Sequence, residues 1–108
     1  SSIRKGDIFT AVIDTRPCDA ALRLAKDATM LLCESTYLDE HVDLAHRYKH
    51  MTAKQAAQIA RDANAKELVL THFSARYRNL ELFEQEAQTI FPNTHAADDL
   101  KTFPFKKS

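Results

Sequence analysis

Three short apolar runs do most to limit what this chain can fold into: Ile8-Phe9-Thr10-Ala11-Val12-Ile13, Thr29-Met30-Leu31-Leu32-Cys33 and Leu68-Val69-Leu70-Thr71. Each is too short for an ordinary helix and each ends in polar residues, so each reads as a strand, the second and third as buried ones. Between them the apolar spacing changes to a helical one. Ala21, Leu22, Leu24, Ala25 and Ala28 share a face after Pro17, with Asp19 in the first turn, where a helix dipole favours negative charge. Ala53, Ala56, Ala57, Ala60 and Ala63 recur at i, i+3, i+4 and i+7 behind a candidate cap, Thr52, and small side chains let such a helix lie close to a sheet. Leu80, Phe83, Ala87 and Ile90 predict a last helix, stopped by Pro92. The segment 37–50 is polar and His-rich, and Leu38, Val42 and Ala45 predict at most a short exposed helix there. Residues 94–97 and 101–105 can each add an edge strand, the second weakened by Pro104.

Strands alternating with helices predict an α/β fold with a mainly parallel sheet and flanking helices. At 108 residues the chain is read as a single unit, 1–108. With 15 basic and 15 acidic residues, no charge bias advertises a nucleic-acid or membrane partner. Gly6 is the one glycine, which excludes the glycine-rich phosphate loops. Cys18 and Cys33 are too few for a disulfide framework or a thiolate zinc site. No apolar run approaches 18 residues, so a cytoplasmic protein without membrane contact is expected.

Right-handed crossovers would carry the C-terminal ends of all three strands to one rim, the edge where α/β proteins place their chemistry. The residues there are Asp14-Thr15-Arg16, Glu34-Ser35-Thr36 and His72-Phe73-Ser74-Ala75-Arg76. Asp14 can be a metal ligand, a general base or the cap of a helix starting at Pro17. His72, in an apolar context, is either a structural histidine or a ligand; with Asp14 it makes two of the three or more protein ligands that zinc requires. His46 and His50 stand four apart, as two imidazoles on one helical face would, but no Glu follows His46 as a helical protease motif demands. His41 and His46 read as solvated surface residues, whereas His50 is tied to the helix start at Thr52. Ser74, Arg76, Tyr77 and Arg78 suit either a phosphate contact or a solvated loop.

Taken together these motifs resemble the ribonuclease Z family, tRNA 3′-processing endonucleases of the metallo-β-lactamase fold. The likeness rests on Asp14-Thr15-Arg16-Pro17, Cys33-Glu34-Ser35-Thr36, His50-Met51-Thr52-Ala53, Thr71-His72-Phe73-Ser74-Ala75-Arg76-Tyr77, and Phe91-Pro92-Asn93-Thr94 with Ala97-Asp98-Asp99-Leu100. The resemblance implies the C-terminal half of a metallo-β-lactamase-type αββα sandwich. It implies a zinc-dependent endoribonuclease acting on precursor tRNA, with two zinc ions in the complete enzyme and weak or no zinc binding by this chain alone. Asp14 and His72 would be metal ligands. His50, held by Glu34, would protonate the leaving 3′ oxygen, and Ser74 and Arg76 would lie near the scissile phosphate. A His–Glu pair suits that role because the carboxylate fixes the tautomer and raises the basicity of the ring.

The chain departs from the family in several places. The His-x-His-x-Asp-His motif and the tRNA-clamping arm are not in it, Ile13 stands for a Gly, Cys33 for the His before the Glu, and Met51 for the Ser after the His. The chain alone is therefore expected to be inactive, and to associate with the missing N-terminal half or as a homodimer. Two other readings remain: a different metallo-β-lactamase-fold phosphodiesterase or esterase, and a non-catalytic, self-associating α/β module.

Overall fold

The structure is a computed structural model that describes residues 6–12, 19–74, 76–77 and 79–97. Asp14 with its neighbours Thr15, Arg16 and Pro17, as well as Cys18, Ala75, Arg78, the stretch 98–100 and the second candidate edge strand, lie outside the described residues.

Four strands, β1 (Phe9–Val12), β2 (Met30–Glu34), β3 (Glu67–Thr71) and β4 (Thr94–Ala96), form one sheet in the order β1-β2-β3-β4. Every pairing is parallel, with Val12 beside Cys33, Glu34 beside Thr71 and Leu70 beside Ala96. The helices are α1 (Asp19–Ala25), α2 (Val42–Tyr48, after a 3-10 turn over Asp39–His41), α3 (Ala53–Asp62) and α4 (Glu81–Gln88). The α/β, parallel-sheet reading is correct, and β4 is the edge strand that the sequence predicts.

The alternation of side chains along the strands divides the interior into two clusters. Leu31, Cys33, Leu68, Leu70 and Val12 face a core completed by Ala21 and Ala25 of α1, the alanines of α3, and Phe83 and Ala87 of α4. Helix α3 lies between α1 and α4 and touches β2 and β3, and its Ala53, Ala56, Ala57 and Ala60 are fully buried. Met30, Leu32, Val69 and Ala97 form the second cluster, on the other face of the sheet. Its border at β1 is a groove of about 240 Å³ lined by Phe9, Thr10, Ala11, Met30 and Leu32. Phe9 stays 39% exposed there, so apolar surface reaches solvent at this edge.

Thr52 caps α3 as predicted. Its hydroxyl accepts from Gln55 N at 3.1 Å while Gln55 Oε1 accepts from Thr52 N at 2.9 Å, a reciprocal capping box. The segment 37–50 is more ordered than its polarity suggests: it holds a 3-10 turn and a seven-residue helix, with Tyr37, Leu38 and Ala45 buried. Helix α2 ends where Lys49 turns left-handed (φ 61°), so His50 lies past the helix and does not share a helical face with His46. With so little glycine in the chain, Asp27, Lys49, Asn64 and His72 all adopt positive φ, and Asn, Asp and His tolerate this better than most residues.

Candidate active site at the ends of β2 and β3

Glu34 is the last residue of β2 and is 1% exposed, so its carboxylate must be held by donors. Oε2 accepts from Thr36 Oγ1 at 3.0 Å and from Met51 N at 3.4 Å, and lies 2.7 Å from His50 Nδ1. A carboxylate oxygen is an acceptor, so the proton in the shortest contact sits on Nδ1. The other ring nitrogen, Nε2, is left to receive or release a proton. His50 is half-buried, and this combination of buried anchor and accessible ring suits proton transfer.

Backbone bonds hold the neighbouring loops against this pair. Thr36 N and Tyr37 N donate to Met51 O at 3.0 and 3.3 Å, and Ala53 N donates to Tyr37 O at 3.0 Å, which fastens the residues after β2 to the start of α3. Ser35 N donates to Thr71 O at 2.7 Å and Ser74 N to Thr36 O at 2.9 Å, bringing the ends of β2 and β3 together. The buried Ser35 hydroxyl has no hydrogen-bond partner among the described residues.

Of the residues singled out in the sequence, Glu34 and His50 are in direct contact. His72 is exposed, just past β3, in a left-handed conformation (φ 60°) that bends the chain out of the sheet. Ser74 is half-buried and its Oγ accepts from Arg76 N at 3.3 Å. Arg76 is exposed, with its guanidinium carbon 5.9 Å from the centre of the Tyr37 ring, and that ring lies 6.3 Å from the His50 ring. Tyr37 thus stands between two of the candidate residues, a role that nothing in its sequence context marks. Asp14 lies outside the described residues, and among the described residues no group of three or more His, Cys, Asp or Glu side chains could hold a metal ion.

Of the remaining histidines, His41 and His95 have local side-chain partners. Tyr77 Oη accepts from Leu38 N at 3.0 Å and lies 2.5 Å from His41 Nδ1, so His41 is a bridged residue and not a freely solvated one. The Tyr77 ring packs edge-on against Phe83 at 5.0 Å, and burial raises its hydroxyl pKa above the ordinary tyrosine value. His46 is exposed, and His95 lies 3.5 Å from Glu67 Oε2. Cys33 is fully buried, and burial, with the charge of Glu34 adding to it, drives its thiol pKa well up.

No family model matches the chain. Over 107 residues it is 67% identical to a ribonuclease Z of Protochlamydia amoebophila, a match that covers 99% of this chain and 35% of that protein. Among solved structures, the metallo-beta-lactamase fold protein YhfI from Bacillus subtilis superposes with a TM-score of 0.79 at 23% identity, over 86% of this chain and 38% of that one. Human tRNase Z, short form, superposes with a TM-score of 0.68 at 29% identity, over 90% of this chain and 32% of that one. The chain spans about a third of the length of the curated relatives it matches, in their C-terminal part. The likeness to ribonuclease Z therefore runs along the whole chain, and its fold is that of part of a metallo-β-lactamase domain.

Proposed function

We propose that this chain is the part of a zinc-dependent, precursor-tRNA 3′-processing endoribonuclease that supplies the proton for the leaving group. The observation that carries this reading is the 2.7 Å contact between His50 Nδ1 and the buried Glu34, in a chain whose relatives are ribonucleases Z. In an in-line hydrolysis, water adds to phosphorus and the bond from phosphorus to the 3′ oxygen breaks. His50 Nε2 gives its proton to that departing oxygen, and Glu34 stabilises the imidazolium before transfer and returns the ring to the same tautomer. Arg76, exposed and lying over Tyr37, offers a guanidinium that pairs well with phosphate oxygens, and Ser74 adds a hydroxyl.

His72 would be one nitrogen ligand at the rim, and Asp14 would be a carboxylate ligand. Two ligands fall short of the three or more that hold zinc, so this chain alone would bind the metal weakly or not at all. When bound, zinc would supply Lewis-acid polarisation of the phosphodiester. We read residues 1–108 as one unit, inactive alone, completed by the other two-thirds of the protein or paired as a homodimer. The apolar cluster of Met30, Leu32, Val69 and Ala97, with the open groove at Phe9, supports association through that sheet face. A cytoplasmic location goes with a precursor-tRNA substrate, and no helix among the described residues is long and apolar enough to cross a membrane.

The test is a substrate comparison with the full-length protein and zinc. Cleavage of precursor tRNA at its 3′ end, with small phosphodiesters hydrolysed far more slowly, is the expected result. Turnover of small phosphodiesters with precursor tRNA left uncut would instead favour a different phosphodiesterase of the same fold.

A further inference from the structure

The segment that carries His50 runs from the end of β2 to the start of α3, and its attachment decides where the imidazole stands relative to Glu34. Both ends of this segment have backbone N–H groups that their own helical turns cannot satisfy. One side chain takes a donor from each end. Glu86 of α4 accepts from Asp39 N at 2.9 Å (Oε1) and 3.1 Å (Oε2), and from Lys54 N at 2.9 Å (Oε2). Asp39 opens the 3-10 turn and Lys54 is the second residue of α3.

We infer that Glu86 is a positioning residue for the Glu34–His50 pair: its carboxylate clamps both ends of the segment 39–54 to α4 and so fixes the His50 ring against a carboxylate that belongs to the sheet. This rests on the proposed role of His50 as proton donor. Glu34 is fixed by β2, whereas His50 reaches it from a loop whose neighbouring residue, Lys49, is left-handed. Backbone bonds between Tyr37 and both Met51 and Ala53 close the base of that loop. The base is held to the sheet side by the bonds of Met51 N to Glu34 and Ser74 N to Thr36 O, and the part of the loop that reaches outward is docked by Glu86, together with the Tyr77 hydroxyl that accepts from Leu38 N. Burial raises the Glu86 pKa while its bonds from Asp39 N and Lys54 N lower it, as expected of a half-buried carboxylate kept in place by its donors.

Glu86→Gln keeps the shape of the side chain but replaces one acceptor oxygen with an NH₂ donor. Because Asp39 N lies against both oxygens, the NH₂ group opposes that N–H in either orientation of the amide and weakens the hold on this end of the segment. Glu84 supplies the control, because it lies on the same helix and accepts from Ala96 N at 2.7 Å, a backbone bond that does not involve the His50 segment. Both variants are made in the full-length protein, and the His50 Nδ1–H proton is followed by NMR alongside kcat, KM and thermal unfolding. In Glu86→Gln the low-field Nδ1–H signal is expected to broaden or move upfield, and kcat on precursor tRNA to fall ~10-fold or more with KM little changed. Glu84→Gln is expected to lower the melting temperature without moving either reading. An unchanged His50 signal in Glu86→Gln, or an equal change in Glu84→Gln, would overturn the clamp. If the parent protein leaves precursor tRNA uncut, the proposed function fails, while the NMR comparison still decides the clamp.

Discussion

Cys33 Sγ lies 3.7 Å from Met51 Sδ, both fully buried, and this contact joins the residue before Glu34 to the residue after His50. These are two of the positions at which the chain departs from the family pattern, where His and Ser are usual. The two positions therefore sit together, as a soft, space-filling pair next in sequence to Glu34 and His50. Met51→Ala should leave a cavity there and destabilise the protein by about 2–5 kcal/mol in urea unfolding. A loss well under 1 kcal/mol would mean that this contact does not support the site.

The Cys33 thiol should be chemically silent in the folded protein. Burial, reinforced by the charge of Glu34, holds it in the unreactive protonated form. In a Cys18→Ser background, a thiol reagent near pH 8 should label Cys33 only at the rate of unfolding. Rapid labelling without denaturant would show that the floor of the site opens far more readily than this packing allows.

Tyr77 should make stability fall at alkaline pH. Burial raises its pKa in the folded state above the unfolded value near 10, so above pH 10 the unfolded chain releases the phenol proton first. Protons bound in the unfolded state then number fewer than in the folded one, and stability declines as pH rises until the folded-state pKa is passed. Tyr77→Phe should flatten this slope. At neutral pH it should cost about 1 kcal/mol for the lost bond from Leu38 N. Identical alkaline slopes in the two proteins would remove Tyr77 as the cause.

The open groove at Phe9 predicts association through the second sheet face. Phe9→Lys places a charge on that 39%-exposed position without disturbing the main core. Light scattering of the 108-residue chain should show dimers or larger species that shift toward monomer in the variant. Monomer in both proteins, at all concentrations, would count against a sheet face that requires a partner.

Much of this was legible in the sequence because several levels of signal agree. The alanine stripe from Ala53 to Ala63, the Thr52 cap and the short run at Leu68 all point to one parallel α/β layout, and the motifs around Glu34 and His50 mark both residues. What stayed hidden depends on tertiary contact. The segment 37–50 looks polar, yet Tyr37, Leu38 and Ala45 are buried because the loop folds back on α3 and Tyr77. Glu86 reads as one more acid on an amphipathic helix, since two backbone donors distant in sequence leave no periodic trace. The left-handed turn at Lys49, which separates His50 from His46, carries no glycine or asparagine to announce it.

The central claim is that His50, held by Glu34, protonates the leaving 3′ oxygen, and a leaving group that needs no proton tests it most directly. Single-turnover cleavage of precursor tRNA by the full-length protein is compared with cleavage of a substrate carrying sulfur in place of the bridging 3′ oxygen, for the parent protein and His50→Ala. General-acid catalysis predicts a loss of about 10²–10⁴-fold in His50→Ala on the oxygen substrate and a much smaller loss on the sulfur one. An equally large loss on both substrates would contradict proton donation by His50.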